Sequence, residues 1–263
     1  MTHFTAIILG FIEGATEFIP VSSSGHLIIV RDILGAGLEH SLSFDAVLQL
    51  STSLALLIYF YHDLKTMVMT AYAMVRGRPV EPKNKTLVYA IVIGTIPAVI
   101  FGLLLENYMD TLFRNPHLVA LALLFGSLLM WFAQRKKHPP SDVTVKKGIV
   151  IGLYQCLALI PGVSRSGATI SGGLLEKMSR EEAARFSFLL SIPILIGSGL
   201  KKLFELRHDL VGSFGSTLLL SSFIAFVVGL ISINFLMKYL KKHSLNVFIW
   251  YRVVIAFLIL IFL

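Results

Sequence analysis

Apolar residues fall along the chain in blocks of the length that carries a helix across a bilayer, about 20 residues. Six blocks fit: Phe44–Tyr61, Thr86–Leu105, Leu118–Trp131, Ala184–Leu203, Thr217–Leu240 and Leu245–Leu263. The third is short of a full span unless it extends to Gln134. Two more stretches, 4–34 and 148–175, are equally apolar but are cut midway by clusters of Pro, Gly and Ser. Non-helical backbone survives at membrane depth only against protein or water. These two stretches therefore predict re-entrant helix–loop–helix hairpins, with a pair of ordinary kinked spans as the plainer alternative.

The interrupted stretches align with each other. Gly10-x-x-Glu13 matches Gly152-x-x-Gln155, and Ile19-Pro20 matches Ile160-Pro161. After one extra residue, Gly162, the run Val21-Ser22-Ser23-Ser24-Gly25 matches Val163-Ser164-Arg165-Ser166-Gly167. Each half is then one hairpin followed by three spans, and an odd number of crossings gives the halves opposite orientations, as in inverted-repeat transporters. The predicted fold is all-α and polytopic, one membrane domain over 1–263. Repeat 1 covers about 1–134 and repeat 2 about 148–263, joined by a basic linker, 135–147.

Composition supports the membrane assignment. The chain has 263 residues, 56% hydrophobic and 14% charged, against about 45–50% and about 25% in soluble domains. The net charge of +8 reads as basic cytoplasmic loops rather than a nucleic-acid surface, since no basic patch is interleaved with exposed aromatics. Lys65, Arg76, Arg78, Lys83 and Lys85 precede the second span, and Arg135, Lys136, Lys137, Lys146 and Lys147 follow the third. Glu106–Arg114, between them, is nearly neutral. Both basic loops are expected in the cytoplasm, with Lys238, Lys241 and Lys242 in a third, while Lys201 and Lys202 run against this pattern. A single cysteine, Cys156, cannot form an internal disulfide. The N-terminus lacks a basic n-region, and Glu13 and Glu17 interrupt its apolar run, so a cleaved signal peptide is not expected.

The chemistry is concentrated in the broken stretches. Glu13 and Glu17 share a helical face; as neighbouring anions they require a proton or a bridging cation, and Mg²⁺ or Ca²⁺ suits such oxygen ligands. Ser22, Ser23 and Ser24 could cap backbone N–H groups. Ser23 lies three residues from His26, an imidazole placed to take a hydroxyl proton. Arg165 takes the place of Ser23 in the second copy. Its guanidinium would meet either a glutamate of the first hairpin or a substrate phosphate. Around it, Ser164, Ser166, Gly167 and Thr169 have the composition of an oxyanion cradle at a helix N-terminus. Polar Gln49, Ser51, Thr52 and Ser53 interrupt the first span and are further candidates for lining the site. His3, His40, His62, His117, His138, His208 and His243 lack partners at metal-binding spacing.

Glu13-Gly14-Ala15-Thr16-Glu17-Phe18-Ile19-Pro20-Val21-Ser22-Ser23-Ser24-Gly25-His26, with Pro161-Gly162-Val163-Ser164-Arg165-Ser166-Gly167-Ala168-Thr169, closely resembles the bacterial undecaprenyl-diphosphate phosphatases, the bacitracin-resistance proteins. The resemblance runs over essentially the whole chain. It implies an integral enzyme of the bacterial plasma (inner) membrane, with its active site open to the periplasmic side. Such an enzyme removes the terminal phosphate of undecaprenyl diphosphate, recycling the carrier lipid for cell-wall synthesis and conferring bacitracin resistance. It further implies dependence on a divalent cation. Carried over by position, the acidic pair is Glu13 and Glu17, the nucleophile Ser23, the histidine His26 and the essential arginine Arg165. Ser22, Ser24, Ser164, Ser166, Gly167 and Thr169 are then expected to bind substrate phosphate. Ser51 departs from the glycine common in relatives.

The residues alone leave open whether Ser23, His26 or an activated water attacks phosphorus. Expected partners are a polyprenyl diphosphate and membrane lipid, with no nucleic acid. The oligomeric state is open, a homodimer included. A transporter or flippase for a prenyl-phosphate lipid or an ion is the competing function class.

Overall fold

A Thr2 side chain caps the first helix, α1 (His3–Thr16), which ends at Glu17 just before the Pro20 turn. The computed structural model describes residues 2–35, 41–109, 115–135, 139–208, 210 and 212–263. Helix α2 (Ser23–Ile33) completes the first broken stretch. It is followed by α3 (Ser41–Tyr59), α4 (Tyr61–Val75), α5 (Pro82–Met109) and α6 (Pro116–Arg135). The second broken stretch is α7 (Val145–Cys156), a 3₁₀ turn Leu157–Leu159 and α8 (Arg165–Leu175). Then come α9 (Arg180–Glu205), started by a reciprocal Ser179–Glu182 capping box, α10 (Ser213–Leu240) and α11 (Asn246–Phe262). No strand occurs among the described residues.

Among the described residues, five helices are long and apolar enough to cross a membrane: Ser41–Tyr59, Pro82–Leu105, Pro116–Arg135, Arg180–His208 and Phe214–Leu240. Their outer faces expose Phe101, Leu104, Phe223 and Ile231, and lipid is the solvent that tolerates such a surface. This is a multi-pass membrane protein. Where a sixth span was expected, α11 is an apolar helix of 17 residues, shorter than those five. One expectation is corrected: part of the basic segment after the first span is helix α4, whose Asp63 pairs with Arg185 of α9. His40, His138, Lys136, Lys137 and Arg114 lie outside the described residues.

The broken stretches are exchanged in their packing. Helix α1 packs on α10, α7 packs on α5, and α3 packs on α9. Small residues allow the first two approaches. A Cβ on Gly14 would lie 2.6 Å from the Ala225 carbonyl, and one on Gly148 2.5 Å from that of Ala90. Gly10 and Gly152 meet Ser221 and Gly94 in the same way. Glycines four apart let membrane helices come into backbone contact, where van der Waals packing replaces the hydrophobic drive that lipid removes. Phe18, at the tip of the first broken stretch, meets Phe188 of α9 edge-on at 5.5 Å.

Candidate active site

The loops that break the two stretches lie against each other, and each turns on a serine. Ser22 has φ 77° and Ser164 φ 75°, a region costing a non-glycine residue about 1–3 kcal/mol. Each serine caps the helix that follows, accepting from Gly25 N–H or Gly167 N–H. The Ser22 hydroxyl oxygen also accepts from Gly162 N–H at 3.1 Å, and Ser166 donates to the Ile19 carbonyl at 3.4 Å. Gly162, at φ 103°, passes so close to α6 that a Cβ would stand 2.6 Å from the Val119 carbonyl.

Arg252 of α11, fully buried, fastens both loops. It donates to Gly162 O at 2.9 Å, Val163 O at 3.0 Å and Pro20 O at 3.3 Å. It also reaches Leu123 O at 3.1 Å and the Ser127 hydroxyl at 3.1 Å. These partners are carbonyl and hydroxyl oxygens, so backbone dipoles stabilise the charge.

Ser23 opens α2 and Arg165 opens α8, and the same carboxylate receives both. The Ser23 hydroxyl donates to Glu17 Oε2 at 2.5 Å, while Arg165 Nη2 donates to Oε1 at 3.1 Å. Two guanidinium nitrogens of Arg165, Nε and Nη1, have no partner. Both carboxylate oxygens of Glu13 meet no other donor side chain or N–H, and their polar neighbour is the Glu17 carboxyl. Glu13 is completely buried, and its carboxylate feels the charges of Glu17, Asp45 and Arg165.

Glu17, Ser23 and Arg165 border a cavity of about 590 Å³, lined also by Ser22, Ser24 and Ser164, while Glu13 lies behind its surface. Gln49 and Gln155 also face it. One wall is apolar, made by Ala98, Val99, Gly102 and Leu103 of α5 with Pro193, Ile194 and Gly197 of α9. Lys201, Lys202 and the Arg31–Asp45 ion pair, 2.6 Å apart, supply charge along the same cavity.

Several sequence expectations need correction. His26 makes no hydrogen bond to Ser23, whose hydroxyl is taken by Glu17. Its Nδ1 lies 2.7 Å from the Ser22 carbonyl and its Nε2 2.8 Å from the Tyr251 hydroxyl. With Nδ1–H donating to the carbonyl, the lone pair of a neutral ring is taken by Tyr251. Ser166, Gly167 and Thr169 do not line the cavity, because only the first residue of α8 borders it. Gly167 N–H is held by its cap Ser164 at 3.1 Å, and Thr169 bonds the Arg165 carbonyl at 2.7 Å and Ser187 at 2.5 Å. Ser51, Thr52 and Ser53 bond backward to their own helix. Among the described residues no cluster of three or more His, Cys, Asp or Glu could hold a metal. Glu13 and Glu17 stand as a pair.

Tyr251 and Arg252 carry no motif that sequence reading could match, and Gln155 was legible only as the counterpart of Glu13 in the repeat. The available signal was polarity in an apolar run, and an arginine inside a span is a functional hypothesis by default.

A multi-pass helical bundle that gathers a hydroxyl, a carboxylate and a guanidinium at one cavity is, in class, a membrane protein with a site suited to an anionic ligand. Comparison with known proteins specifies the family. A family model described as Bacitracin resistance protein BacA matches residues 6–258, and the chain belongs to that family. It is 41% identical to an undecaprenyl-diphosphatase of Chlorobium chlorochromatii (strain CaD3), across 99% of this chain and 96% of that one. It is 42% identical to the undecaprenyl-diphosphatase of Geotalea daltonii, across 100% of this chain and 99% of the relative. The Micrococcus luteus undecaprenyl-diphosphatase is 40% identical, across 97% and 95%.

Proposed function

We propose that this chain hydrolyses the terminal phosphate of undecaprenyl diphosphate, giving undecaprenyl phosphate and inorganic phosphate. The observation that carries the mechanism is the placement of Glu17 between Ser23 and Arg165. The Ser23 hydroxyl attacks the terminal phosphorus in line. Its proton passes to Glu17, the bond to the bridging oxygen breaks, and the lipid monophosphate leaves. Water then cleaves the phosphoserine, releasing phosphate and restoring the hydroxyl. Arg165 holds the transferred phosphoryl with the N–H groups that Glu17 leaves free. Positioning and electrostatics dominate such transfers. His26 serves as a positioning residue, pinning the Ser22 carbonyl and so the strained turn that presents Ser23.

Glu13, with Glu17 beside it, would hold a divalent cation such as Mg²⁺ or Ca²⁺, whose hard charge suits carboxylate oxygens. When bound, such an ion would neutralise charge on the phosphate oxygens.

The prenyl chain follows the apolar wall between α5 and α9, which shares a cavity with the polar groups. The chain is assigned to the bacterial inner membrane, with the basic segments cytoplasmic and the cavity open to the outer side. In that orientation Lys201 and Lys202, contrary to the loop-charge rule, attract the anionic headgroup. The halves, about 1–134 and 148–263, form an inverted repeat of re-entrant hairpins, a reading supported by the exchanged packing of α1 on α10 and α7 on α5. Phosphate release from undecaprenyl diphosphate by purified protein in detergent tests the activity without any gradient a transporter would need. Folded protein that releases none with Mg²⁺ or Ca²⁺ present refutes the proposal.

A further inference from the structure

Buried side-chain atoms without a hydrogen-bond partner are concentrated in one neighbourhood. They include both carboxylate oxygens of Glu13, two nitrogens of Arg165, and both ends of the Gln155 amide. Gln155 is only 2% exposed, yet it lines the cavity that Ser23 and Arg165 border. A buried amide left unpaired costs stability, and the native site retains it beside two other unsatisfied groups.

The sequence repeat explains its place. Gln155 stands on α7 where Glu13 stands on α1, three residues after a glycine that brings each helix against its neighbour. Glutamine keeps the reach of glutamate but exchanges an anion for a neutral group that can donate. An ionised phosphate presents only acceptors and would be repelled by a third carboxylate beside Glu13 and Glu17. The vacant donors of Arg165 and of the Gln155 amide match it. No protein group fixes which way the amide points, so a ligand decides it.

We propose that Gln155 is a substrate-binding residue whose amide N–H donates to a phosphoryl oxygen of the lipid diphosphate. This rests on the phosphoryl-transfer reading of the same cavity. The test compares Gln155→Met and Gln155→Glu with the parent protein in detergent, measuring both phosphate release and thermal unfolding.

Gln155→Met matches the size and removes the unpaired polar atoms. The expected result is kcat/KM lowered tenfold or more with a melting temperature equal to or above the parent's. Gln155→Glu should lose at least a hundredfold, because it gives up the donor and adds charge. Inorganic phosphate should raise the parent's melting temperature more than that of Gln155→Met, a readout that needs no turnover. A parent that released no phosphate would therefore refute the hydrolase reading while the phosphate shift still judged Gln155. The inference is overturned if Gln155→Met hydrolyses like the parent, fails to fold, or loses activity only in step with a lowered melting temperature. It is equally overturned if Gln155→Glu stays active with a reduced cation requirement, which would make the side chain a metal ligand.

Discussion

The Ser23 hydroxyl is hydrogen-bonded to Glu17 at 2.5 Å, although the imidazole closest to it in sequence is His26. Glu17, held on its other oxygen by Arg165 at 3.1 Å, is thus oriented to receive the serine proton. Ser23→Ala should lower kcat by at least a hundredfold, and Glu17→Gln by a factor within the roughly 10²–10⁴ expected for a lost general base. Quenched turnover should leave phosphate on Ser23 of the parent protein. A Ser23→Ala variant with near-parent activity would instead assign the attack to water.

His26 and Tyr251 test the division between catalysis and positioning. Their rings stack with centroids 5.6 Å apart while Nε2 meets the phenol. Tyr251→Phe removes one hydrogen bond and should cost about 1 kcal/mol of stability, with kcat within a few-fold of the parent. His26→Ala should lower both melting temperature and activity, because the Ser22 turn loosens. His26→Gln, which can still donate to the Ser22 carbonyl, should restore much of both. Activity that tracks loss of the imidazole regardless of the carbonyl bond would make His26 the base.

Arg252 holds the two loops together from a third helix. Replacing it with methionine leaves the carbonyls of Pro20, Gly162 and Val163 without their donor. Hydrogen bonds to charged groups contribute about 1.5–3 kcal/mol each, so Arg252→Met should lower the unfolding temperature in detergent by many degrees. Lysine has three donors without the planar fork and should recover only part of the loss. An unchanged melting curve for Arg252→Met would show that the loops are held by other contacts.

Gly197 reports on the tail. A Cβ there would meet nothing within 4 Å, so Gly197→Ala should fold normally. Gly197→Trp, by contrast, would fill the apolar wall of the cavity. Its KM for undecaprenyl diphosphate should rise at least tenfold, while that for a short soluble prenyl diphosphate changes little. Equal effects on both substrates would take the prenyl chain out of the α5–α9 wall.

Much of this protein was legible in one dimension because lipid imposes a simple rule. A segment of about 20 residues must satisfy its own backbone in the bilayer, so the five long apolar helices among the described residues follow from length and polarity. The interruptions were legible for the same reason, since Pro20 and Pro161 break apolar runs where only a buried or wetted loop can survive. The internal match of Ser22 with Ser164 survived into geometry as two serines of almost the same φ. Helix α4 was less legible, because its basic residues suit a loop and a solvated helix equally.

Sequence by itself determined the membrane class, the two broken stretches, and the residue types that gather in them, because each depends on local composition and spacing. Tertiary structure decided which groups face one another. Ser23 and Glu17 are six residues apart across a turn whose direction is set by a positive φ at Ser22, and this gives Ser23 to Glu17 and turns His26 to Tyr251. Arg165 reaches Glu17 across 148 residues of chain, and Arg252 reaches Pro20 across 232. No pattern of spacing encodes such separations. They arise from glycine-mediated helix packing and from buried polar groups that must find partners wherever the fold brings them.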